Sequence, residues 1–180
     1  MFTKAFVSLS AAKKIAYLAV FTAIAVAVNA FSVDVTPALK LSFTATVGFF
    51  VGAMFGPVGG FAVMFTGDLI GCFFSGYAPN PLIGVATGLL GLIPGLIMTH
   101  MRGNFYVKAV ASFVLCLVLC TAGLNTFAIY LMSSSADSVS YWSYMLTRLP
   151  VQIPVMAVNM ILSVLLAKLL NKAGTRFTIS

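Results

Sequence analysis

The stretch YMLTRLPVQIP, residues 144–154, places Arg148 four residues before Gln152 in an otherwise apolar run. That spacing puts both on one helix face, and Asn159 continues the stripe two turns further on. A guanidinium offers a rigid donor fork that matches a carboxylate, which the point charge of lysine does not. The pair therefore reads as a clamp for an anionic group. The plainer account is an arginine that snorkels from a membrane edge into water. That account gives Gln152 and Asn159 no role.

Other polar residues interrupt apolar segments. Asp68 is the only carboxylate inside one. It reads equally as a structural partner, for Arg148 or a helix end, and as an acceptor for ligand N–H groups. Asn125 and Thr126 form a polar spot with Tyr130 one turn beyond, and Asn29 forms another. An amide inside a bilayer most often bonds a neighbouring helix. Taken together, these residues describe a polar cavity. Phe73, Phe74, Tyr77, Tyr141, Trp142 and Tyr144 gather near the same end. They suit an interfacial aromatic belt and equally a set of flat surfaces for a planar ligand.

Several chemistries are poorly supported. The sequence has no G-x-x-x-x-G-K-[ST] phosphate loop and no G-x-S-x-G nucleophile motif, and its one histidine is His100. Three carboxylates are too few for a metal-dependent phosphotransferase. Cys72, Cys116 and Cys120 have no further ligands close in sequence, so they read as packing residues and no metal site is expected. No basic run is long enough to grip nucleic acid. The chain is not expected to be an enzyme.

The elements that must position these residues are membrane spans. Of 180 residues, 61% are hydrophobic and 7% charged, against about 25% charged in soluble domains. Several charge-free runs exceed the roughly 20 residues that cross a bilayer. The first is too long for the apolar region of a signal peptide. The expectation is an all-α integral membrane protein, one membrane-embedded domain over residues 1–180. Its spans lie at about 15–31, 43–55, 61–74, 82–98, 109–132 and 144–170. The second and third are divided by GPVGG, residues 56–60, where Pro57 cannot continue a helix and the glycines permit a tight reversal. With six spans and both termini cytoplasmic, eight of the ten Lys and Arg face inward, leaving Lys40 and Arg148 on the outer half. The net charge of +7 is then mostly an orientation signal.

Ala12, Ala16, Ala19, Ala23 and Ala27 line the first span and its approach. Small residues four apart let another helix come close, from this chain or another subunit.

Four segments together resemble the substrate-binding S components of bacterial energy-coupling factor (ECF) transporters. They are KKIAYLAVFTAIAVAVN, LKLSFTATVGFFVGAMFGPVGGFAVMFTGDLIG, GLNTF and YMLTRLPVQIP. The resemblance covers nearly the whole chain. LNT with TRLP is most similar to the folate-type family. It implies a six-helix S-component fold in the bacterial cell membrane, capturing a vitamin from outside. A transmembrane coupling protein and two ATPases would carry the transport. ATP would be used by those partners, with no cofactor in this chain. The segment SVDVTPALK would act as a lid. The family's A-x-x-x-A docking motif fits Ala12/Ala16, Ala19/Ala23 or Ala23/Ala27, which makes Ala16, Ala19 and Ala23 the docking candidates. For folate, Asn125, Gln152 or Asp68 would meet the pterin edge, Tyr77, Tyr141 and Trp142 its faces, and Arg148 with Lys40 the glutamate carboxylates. The alternatives are an S component for another carboxylate-bearing vitamin or metabolite, a stand-alone carrier or an intramembrane enzyme.

Overall fold

The computed structural model describes residues 8–36, 39–76, 78–132 and 140–172. Helix α1, Ala11–Ala30, follows an extended Ser10 and closes where the Phe31 N–H bonds the Ala27 carbonyl. It begins one turn before the expected Ile15. Lys13 and Lys14 mark where a bilayer would start, and charge does not stop a helix. The helix packs through a narrow seam of Leu18, Phe21, Ala25 and Asn29. Along it, Phe21 meets Phe55 edge-on at 5.0 Å.

The all-α expectation gains one addition. Strands β1, Val33–Thr36, and β2, Leu39–Leu41, form an antiparallel hairpin that sets Val33 opposite Leu41 and Asp34 opposite Lys40. The alternation VDVT and LKL carries the two-residue period of a strand.

Helix α2, Thr44–Phe74, is broken at Gly56, whose φ of 80° and ψ of −176° are open to glycine at little cost. The two arms fold back on each other. A Cβ on Gly60 would lie 3.0 Å from the Gly52 Cα, whereas eight residues of continuous helix span about 12 Å. The expected five-residue turn is thus compressed to one non-helical residue. Pro57 opens the second arm, where its missing N–H removes no bond.

Helix α3, Pro81–His100, starts at Asn80, whose side chain accepts the Leu82 N–H at 2.8 Å. Its glycine face lies directly on α2. A Cβ on Gly91 would come within 2.3 Å of the Gly60 carbonyl oxygen. In lipid, such backbone proximity is what draws helices together, because apolar burial alone distinguishes little between a neighbour and a lipid tail.

The next apolar stretch, Phe105–Met132, has three parts: α4 (Phe105–Leu115), a π-helical segment (Cys116–Asn125) and α5 (Thr126–Met132). The last helix, α6, is Tyr141–Lys172. These meet α2 and α3 in a core containing Phe49, Ile93, Phe113, Cys116, Cys120 and Met156. There Phe49 stacks on Phe113 at 5.4 Å. Both core cysteines pack as small apolar groups. Among the described residues, five helices are long and apolar enough to cross a membrane.

Candidate ligand-binding site

Arg148 is 4% exposed. A snorkelling arginine keeps its head in water; this one is held inside. Its Nη1 donates to Thr126 Oγ1 at 3.1 Å. Thr126 is buried, and its hydroxyl donates onward to the Thr121 carbonyl at 2.7 Å. Thr121 lies five residues back, within the π-helical turns, so that segment supplies the carbonyl that points the Thr126 lone pair at the arginine. The guanidinium carbon lies 5.9 Å from the Tyr144 ring centre, within cation–π range. Among the described residues, the buried Nε finds no hydrogen-bond partner. The group is oriented from one side and keeps a donor for an anion.

Tyrosines surround it. Tyr130 lies 5.6 Å from both Tyr141 and Tyr144, ring centre to ring centre. The Tyr141 hydroxyl donates to the Ala122 carbonyl at 3.1 Å. Tyr141 is therefore fixed against the π-helical segment. Trp142, 67% exposed, contacts the rim of this cluster through Tyr141 but turns outward, as an interfacial aromatic does. Gln152 and Asn125 are half-buried.

Asn159 has a different task from the one its spacing suggested. Its Oδ1 accepts the Thr46 N–H at 3.1 Å and the Thr46 hydroxyl at 2.8 Å. Its Nδ2 donates to the Ser42 and Val155 carbonyls at 3.0 and 2.9 Å. All four of its amide hydrogen-bonding capacities are used. Asn159 thereby caps α2 from across the molecule. It lies eighteen residues beyond Tyr141, past the midpoint of α6, or about 27 Å along the axis. The first arm of α2 therefore starts at membrane depth, with the hairpin leading into it. Non-helical backbone at that depth is tolerated only inside protein or beside a water-filled cavity. Sequence reasoning missed Thr46, which no spacing rule connects to a residue 113 positions away.

Asp68 is buried beside α1, where Oδ1 accepts from Asn29 Nδ2 at 3.0 Å. Gly71 leaves room for that amide, since a Cβ there would lie 2.8 Å from it. Lys40 occupies β2 opposite Asp34. Tyr77 lies outside the described residues. Ala16, Ala19 and Ala23 are all exposed, on the side of α1 away from its packing seam.

The family described as "ECF-type riboflavin transporter, S component" matches residues 9–175. No curated protein matches the chain. Among solved structures, the chain is similar to "Crystal structure of FolT bound with folic acid", with a TM-score of 0.69 and 23% sequence identity. That match covers 86% of this chain and 92% of the other. At that identity the likeness shows the fold.

Proposed function

The chain belongs to the ECF-type riboflavin transporter S component family, and from that premise we propose that the vitamin it captures is folate. As an S component it is the substrate-capture subunit of an ECF transporter. It is a multi-pass protein of the cell membrane and works with a transmembrane coupling protein and ATPases.

The observation that carries the ligand reading is the buried, oriented guanidinium of Arg148. Leaving a cation buried without an anion costs several kcal/mol. The glutamate tail of folate brings two carboxylates. Riboflavin has none. Arg148 would take one carboxylate through Nε, with Lys40 of the hairpin near the second. Tyr141 and its neighbours, with Tyr77, would flank the pterin, with Trp142 at the outer rim. Asn125, Gln152 or Asp68 would meet its edge. The structural likeness to a folic-acid-bound protein supports this choice.

A second reading is riboflavin, favoured by the family description and by a tyrosine cluster that suits any planar ring. Another carboxylate-bearing vitamin would use Arg148 in the same way. Calorimetric titration of the purified chain with folate and with riboflavin separates these readings. Saturable binding of folate alone is expected. Binding of riboflavin that Arg148→Ala leaves intact would sink the proposal. Mass spectrometry of the co-purified small molecule is an independent check.

For topology we propose six membrane crossings with both termini cytoplasmic. The fold-back of α2 at Gly56 supports the count, and the distribution of Lys and Arg supports the orientation. The chain itself is read as non-catalytic and without a cofactor, ATP being used by the partner ATPases. Its exposed alanine face on α1 is the docking surface for the coupling protein.

A further inference from the structure

We propose that the groove between the start of α4 and the end of α6 binds an anionic phospholipid. Lys168 Nζ lies 5.6 Å from the Tyr106 ring centre, which ties the two helices together at a bilayer edge and fixes the ammonium over an aromatic face. Lys172 stands one turn beyond Lys168 on the same face of α6. Arg102 lies in the loop just before α4. Helix α4 is preceded by Asn104, whose side chain makes no capping bond. The first N–H groups of that helix therefore add donors at the same end.

Toward the bilayer centre the surface changes character. Val110 on α4 is 47% exposed and Leu165 on α6 is 51% exposed, each about one turn from the cationic rim. The chain's side-chain carboxylates are Asp34, Asp68 and Asp137, so neither helix offers an acid to neutralise these cations. An acidic protein surface would answer the charges but not the apolar walls that continue from them. One phospholipid answers both, with its phosphate at Lys168 and Lys172 and its acyl chains along Val110 and Leu165. The inference does not depend on which vitamin the chain captures.

The test is native mass spectrometry of the purified chain, equilibrated with equal amounts of phosphatidylglycerol and phosphatidylcholine. Each interfacial lysine contributes about fivefold in affinity for an anionic lipid. Wild type should retain phosphatidylglycerol at least about tenfold better. Lys168→Gln with Lys172→Gln should bring the two lipids to parity, while Lys168→Arg keeps the preference. Tyr106→Leu, which leaves both lysines in place, should reduce it and carries the test if the double variant does not fold. Equal retention by wild type overturns the proposal, as does an undiminished preference in the double variant or, where that does not fold, in Tyr106→Leu. A double variant that loses the coupling protein but keeps the lipid preference assigns the lysines to protein docking and also overturns it.

Discussion

The Arg148 guanidinium and the Thr126 hydroxyl are joined at 3.1 Å across two helices, and Thr126 is aimed by its own bond to the Thr121 carbonyl. Among the described residues the arginine is thus oriented through a hydroxyl and a backbone carbonyl, and its buried Nε keeps a donor for a ligand. Arg148→Ala should weaken folate binding by about 10- to 100-fold, the range of a lost charge-assisted hydrogen bond. Arg148→Lys should recover only part of this, because an ammonium lacks the fork. Thr126→Val should cost less than Arg148→Ala, since it removes only the orienting bond. Calorimetric titration reads all three. Wild-type affinity in Arg148→Ala would leave the arginine without a binding role.

Asn159 joins α6 to the start of α2 at membrane depth. Asn159→Leu takes the donor from the Ser42 carbonyl and the Oδ1 acceptor from Thr46, whose N–H and hydroxyl keep the Phe43 and Asn159 carbonyls; a buried polar group left without a partner costs about 1–3 kcal/mol. A melting temperature lowered by several degrees in detergent is expected. An unchanged melting curve would mean that other groups satisfy this helix start.

Helices α2 and α3 touch through backbone at Gly60 and Gly91. Gly91→Ala places a methyl 2.3 Å from a carbonyl oxygen, so the helices must part, at a cost of at least about 1–3 kcal/mol. Gly103→Ala meets nothing within 4 Å and is a control for backbone conformation alone. The yield of folded protein by size-exclusion chromatography should fall for the first and hold better for the second.

The exposed alanine face of α1 predicts a separation of functions. Ala19→Leu and Ala23→Leu should leave ligand affinity within about twofold, because neither residue lies on the packing seam and surface changes cost little. Co-purification with the coupling protein should be lost. Retained co-purification would place docking elsewhere.

Six crossings put Ser8 and Lys172 on one side of the membrane and Ala78, in the loop before α3, on the other. Single cysteines at these positions, in a background lacking Cys72, Cys116 and Cys120, should label accordingly with an impermeant maleimide. Labelling of Ser8→Cys and Lys172→Cys from opposite faces would reduce the count to five.

The chain's class was legible from composition alone, because a bilayer rejects charge and the scarcity of charge is visible without coordinates. Gly56-Pro57 announced the break in α2, since few other residue pairs would end one helix and start the next so abruptly. Arg148 was likewise visible, as a lone cation in an apolar run. Its orientation by Thr126 was not, because a π-helical stretch has no distinctive composition and shifts each later residue's facing. Asn159 shows the same boundary from the other side. Its helical spacing placed it with Arg148 and Gln152, and tertiary contact assigned it to Thr46 instead. Periodicity reports which face a residue occupies; only packing decides what that face meets.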